Sequence, residues 1–77
     1  MTYREAVGEL RAKFPKADMS PAVMFGESVR RAANVTFARH KGGVYAGKDA
    51  DGTEVLVYFN DTANLICCTE IGPDNDE

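Results

Sequence analysis

Residues 53–71 read Thr53-Glu54-Val55-Leu56-Val57-Tyr58-Phe59-Asn60-Asp61-Thr62-Ala63-Asn64-Leu65-Ile66-Cys67-Cys68-Thr69-Glu70-Ile71. Two runs rich in β-branched, aromatic and aliphatic residues flank a polar cluster of Asn, Asp and Thr, the pattern of two strands joined by a turn. Thr53 to Phe59 forms the first strand, Asn60 to Asn64 turns, and Leu65 to Ile71 forms the second. Gly72-Pro73 ends it, because Pro cannot donate to a ladder. The core-facing candidates are Val55, Val57, Phe59, Leu65, Cys67 and Ile71. Leu56, Tyr58, Ile66 and Cys68 then lie on the opposite face, which is unusually apolar for a surface meeting water. Either a partner, a second copy or the N-terminal helix covers that face, or one helix lies on each side of the sheet.

Working upstream, Asp49-Ala50-Asp51-Gly52 is a tight turn in which Gly52 is free to take positive φ. Val44 to Lys48 is a strand, and Lys41-Gly42-Gly43 a turn. From Val35 to His40 apolar and polar residues alternate, as in a half-exposed strand. Ser20 caps and Pro21 opens a helix carrying Ala22, Phe25, Val29 and Ala32 on one side, with Arg30 and Arg31 near its C-terminal end and Asn34 as its stop. At the N-terminus, Thr2 and Glu5 have the spacing of a capping box. Tyr3, Ala6, Val7, Leu10 and Phe14 then recur at steps of three and four, so a second helix runs to just before Pro15. Short connections favour antiparallel neighbours, and the expected fold is α+β: two N-terminal helices packed on a four-stranded antiparallel β-meander. Residues 1–73 form one domain and residues 74–77 an acidic C-terminal tail.

Seventy-seven residues leave little room for both a cofactor pocket and an intact core. The expectation is a non-enzymatic chain with no cofactor. With 27% charged residues and no apolar run at the N-terminus, neither a membrane span nor a signal peptide is read, and a cytoplasmic address is expected. Adjacent Cys67 and Cys68 point to opposite faces of a strand and read as free, buried thiols, in keeping with a reducing compartment. Charge is polarised along the chain. Residues 1–48 hold nine Lys/Arg against four acids, net +5, whereas residues 49–77 hold eight acids and no Lys or Arg, net −8.

Gly42 to Lys48 has the spacing G-x-x-x-x-G-K of a phosphate loop, but Asp49 stands where Ser or Thr is needed and a strand follows in place of a helix. Asp49 to Glu54 resembles the opening of a calcium loop, with its glycine two positions early and Asn60 in place of the bidentate Glu. His40, the single histidine, lies between Arg39 and Lys41, and a nucleophilic pair with Cys67 or Cys68 requires the fold to bring them together. The densest basic region is Arg30, Arg31, Arg39, His40 and Lys41, with Phe37 and Tyr45 nearby, a composition able to contact a nucleic-acid backbone.

The function expected from these residues is a small protein-interaction module, a regulator or inhibitor of a larger protein or complex. It binds another protein or a second copy of itself through an apolar sheet face or strand edge and the acidic C-terminal half, with Glu54, Leu56, Tyr58, Ile66 and Glu70 as partner-binding residues. The alternative is nucleic-acid binding through the basic region.

Overall fold

The computed structural model describes residues 1–72; the expected acidic tail lies outside them. The order is α1 (Tyr3–Lys13), β1 (Asp18–Met19), α2 (Pro21–Phe25), α3 (Glu27–Ala32), β2 (Ala38–His40), β3 (Val44–Lys48), β4 (Glu54–Asn60) and β5 (Leu65–Ile71). The chain is α+β. The sheet, however, has five strands in the order β1-β5-β4-β3-β2, with β1 parallel to β5 and every other pair antiparallel.

The expected four-stranded antiparallel meander is therefore corrected by one short parallel strand. Asp18 N–H donates to Asn64 O at 2.9 Å and Ser20 N–H to Ile66 O at 3.1 Å, so the segment between α1 and α2 borrows the free edge of β5. Two residues have no periodicity to read, and only a distant strand makes them one.

The second helix is also corrected. It breaks at Gly26, whose extended backbone (φ −79°, ψ 166°) ends α2 and starts α3. A Cβ on Gly26 would meet Ala22 O at 2.8 Å, so the break depends on glycine. Losing one phase across residues 21–32 moves the buried position of α2 to Val23 and leaves Phe25 78% exposed. The first hairpin strand is shorter than expected. Residues 35–37 are irregular, and Phe37 exchanges hydrogen bonds with Met1 instead of with a strand.

Local signals elsewhere form as read. Thr2 and Glu5 make the capping box, with Glu5 N–H to Thr2 Oγ1 at 3.1 Å and Thr2 N–H to Glu5 Oε1 at 2.8 Å. Ser20 Oγ accepts from Val23 N–H, with Pro21 in the first turn. Gly42, Gly43 and Gly52 take positive φ, as does Asn64 at 57°.

All three helices lie on one side of the sheet. Ala6 and Leu10 of α1, Val23 of α2 and Ala32 of α3 join Val35, Phe37, Tyr45, Val55, Val57, Ile66 and Cys68 in a single core. Full burial of each aliphatic side chain stabilises the fold by roughly 2 kcal/mol. Phe14 stacks on Phe59, ring centroids 3.9 Å apart, and closes the core at one end.

The expected facing of β5 is wrong by one residue. Asn60 sits opposite Leu65, Phe59 opposite Ile66 and Val57 opposite Cys68. Ile66 and Cys68 thus join Val55, Val57 and Phe59 beneath the helices, whereas Leu65, Cys67 and Ile71 turn to the other face. Both runs are apolar at even and odd positions, so alternation could not choose; the turn over residues 61–64 does.

Candidate functional site

The face away from the helices is built from alternate residues of four strands: Ala38 and His40 of β2, Val44, Ala46 and Lys48 of β3, Glu54, Leu56 and Tyr58 of β4, and Leu65, Cys67, Thr69 and Ile71 of β5. Tyr58 Oη and Thr69 Oγ1 come within 3.5 Å across β4 and β5, which places both on this face. Ala46 is buried among its strand neighbours yet stands outside the helix-side core, and Ile71 is 47% exposed. None of the described helices packs here. The rows through Ala46–Leu56 and Val44–Tyr58 end at the β2 edge in Ala38 and His40, and Lys48 and Glu54 face each other at one end. The arrangement offers apolar contact and shape.

Of the residues expected to bind a partner, Glu54, Leu56 and Tyr58 lie on this open face. Ile66 does not: it is 0% exposed in the core. Glu70 also lies on the helix side, where Oε1 is 3.5 Å from Arg31 Nε. Leu65, Cys67 and Ile71, missed by the sequence reading, are on the open face, and the only signal for them was the length of the preceding turn.

The basic region is divided by the fold. Arg31 reaches from α3 to Asp49, to Asp51 at 3.7 Å and to Glu70, tying a helix to the β3–β4 turn and to β5. Its hydrogen bond with Asp49 raises the guanidinium still further above its ordinary value. Burial works to raise the Asp49 carboxyl, but Arg31 and the Thr53 and Asp51 amides outweigh it and hold the group below the ordinary carboxylate range. One cation from the basic half thereby meets three acids of the other half, so the charge polarity is partly neutralised inside the chain. Arg30, Arg31, Asn34, Asp49 and Glu70 line a groove of about 550 Å³.

Arg39 is held elsewhere, in a two-pronged bond to Glu9 of α1 at 3.0 and 2.5 Å. Tyr45 Oη donates to the same carboxylate at 2.9 Å. Arg39 and Tyr45 together keep Glu9 below its ordinary range, while burial and then Glu9 raise Tyr45. His40 faces the open side and Lys41 starts the hairpin turn, so Arg31 and Arg39 are each engaged with carboxylates on different elements.

Cys67 and Cys68 are free thiols, but only Cys68 is buried as expected; Cys67, turned to the open face, is half-buried. Burial pushes the Cys68 thiol up to about 11, the neutral and unreactive form at ordinary pH. His40 and Cys67 share the open face but are separated by β3 and β4, roughly 14 Å at the usual strand spacing, so they form no nucleophilic pair. Residues 44–48 of the phosphate-loop spacing are strand β3. Among the described residues, no group of three or more His, Cys, Asp or Glu side chains is placed to hold a metal ion, and no helix is long and apolar enough to cross a membrane.

Compared with protein-family models, with curated proteins and with solved structures, the chain matches none of them.

Proposed function

We propose that this chain is a non-enzymatic protein-interaction module whose open sheet face is covered by another polypeptide chain in its working state, in the role of a regulator or inhibitor within a larger assembly. The observation that supports this reading is the one-sided placement of the helices, which leaves Val44, Leu56, Tyr58, Leu65, Cys67 and Ile71 on a face that no described element packs against. Contiguous apolar surface of this kind on a small domain marks an interaction site more often than an idle surface. Glu54 extends the acidic half of the chain to the rim of that face.

The test is the native size of the chain in a nuclease-treated lysate of its source cells, by gel filtration with detection of a tag. The expected result is a complex heavier than the 8.4 kDa chain, lost in both Leu56→Asp and Tyr58→Asp. A wild-type chain running as a monomer would overturn the reading, as would a complex unchanged by both substitutions or one removed by nuclease alone.

A further inference from the structure

The open face is uneven, and its unevenness has a direction. Across the seam between β3 and β4 each pair joins a small or cationic residue on β3 to a large or anionic one on β4: Lys48 beside Glu54, Ala46 beside Leu56 and, one residue on, Val44 beside Tyr58. The thin half of the face is β3 and the thick half β4.

We infer that the chain covers this face with a second copy of itself, packed face to face about a two-fold axis that runs along the β3–β4 seam, parallel to the strands. The inference rests on the interaction-module reading above and names its occupant. A rotation of 180° about that line exchanges β3 and β4. Leu56 then lies over the partner's Ala46, Tyr58 over the partner's Val44 and Lys48 over the partner's Glu54, and each contact occurs twice, as in any isologous interface. Along the seam large meets small and cation meets anion. A two-fold along β4 itself would stack Leu56 on the partner's Leu56 and Glu54 on the partner's Glu54, which is bulk on bulk and like charge on like charge. Aligned sheets pack about 10 Å apart, a gap that one large side chain above one small one fills.

A face of four strands measures roughly 20 Å by 20 Å, about 800 Å² over both copies and less than a stable specific interface buries, so the pairing is weak and transient, with an expected dissociation constant of tens of micromolar or above. Lys48 and Glu54 at the end of the seam then set orientation and suppress other registers more than they set affinity.

The deciding experiment is sedimentation equilibrium of the purified chain from about 1 µM to about 1 mM, the range that brackets such a constant. The expected mass rises from 8.4 kDa toward twice that value. Lys48→Glu alone and Glu54→Lys alone each weaken pairing by about tenfold or more, because each sets like charges over one another. An equimolar mixture of the two variants restores pairing to within about threefold of wild type, since the opposite charges now meet between unlike chains. Amide spectra confirm that each variant is folded, and the recovery on mixing cannot come from a folding defect. A wild-type monomer across the whole range overturns the second-copy assignment, and so does a dimer indifferent to both charge reversals or a mixture no stronger than its components. If the purified chain is monomeric while its native complex is still lost in Leu56→Asp, self-pairing has failed and the face reading has not.

Discussion

The two faces of one sheet have nearly the same composition and opposite circumstances. Val57 and Tyr58 are adjacent in β4, yet Val57 is 0% exposed under the helices and Tyr58 stands on the uncovered side. Ile66 and Cys67 divide in the same way along β5. Hydrophobicity therefore made the strands, and connectivity decided which face became the core. Within one strand the parity of a residue's number decides whether it serves the core or the open face, and the sense reverses between neighbours: odd residues turn inward in β4 and even ones in β5.

A pair of aspartates one residue apart separates the two faces most strongly. Val57→Asp buries an unpaired charge and is expected to cost at least about 4 kcal/mol, enough to unfold a domain of this size. Tyr58→Asp is expected to cost less than about 1 kcal/mol while abolishing any concentration-dependent mass. Urea unfolding followed by circular dichroism measures both; equal losses would mean that the open face belongs to the core after all.

Gly47 probes the covered side without charge. A Cβ there would stand 2.1 Å from Val35 Cγ1 and 2.5 Å from Thr36 O, where residues 35–36 cross β3. Gly47→Ala should destabilise by about 1–3 kcal/mol in the same urea assay, as overpacking does elsewhere. A neutral result would place that crossing farther from β3.

The cysteines offer a milder contrast. Cys68→Ser puts a hydroxyl into the core and is expected to cost about 1–2 kcal/mol, whereas Cys67→Ser stays within about 0.5 kcal/mol. In the native chain one thiol should react with a disulfide reagent and the second only after unfolding. Slower reaction of Cys67 at higher protein concentration would tie it to the paired face.

The smallest expected effect is in acid. Glu9 and Asp49 titrate below their ordinary values of 4.5 and 3.8, so their contribution to stability is complete above those values and is lost as pH falls through the lower folded ones. Thermal midpoints should fall below about pH 4, and Asp49→Asn should fall less steeply because it has lost part of that limb. A variant with the wild-type slope would remove the Arg31 clamp as a source of acid sensitivity.

Much of this fold was legible locally. The Thr2–Glu5 box, the Ser20-Pro21 start, the Gly52 turn and the span Leu65–Ile71 each rest on short-range backbone chemistry, and each formed. What could not be read depends on distant parts of the chain. Asp18 and Met19 are a strand only because β5 lies beside them, and the facing of β5 follows from the Asn60–Leu65 register, with no alternation in Leu65-Ile66-Cys67-Cys68 to announce it. The break at Gly26 carried a signal, a glycine inside a short helical pattern, whose cost relative to alanine is about 1 kcal/mol. The candidate site was legible in kind, as a second apolar face, but only half of its residues were, because the parity of β5 decides the other half.

The place of β5 in the sheet has a consequence for how the chain is made. β5 follows every other element in sequence, yet it lies inside the sheet, between β1 and β4, with α2 and α3 resting on it. A nascent chain that has delivered all three helices and three hairpin strands still lacks the floor beneath them. Asp18 must wait for a partner, Leu65, that emerges 47 residues later. Folding is therefore held back until synthesis has passed Ile71, and every ribosome that stalls earlier leaves an open-cored chain for the cell's quality control to meet.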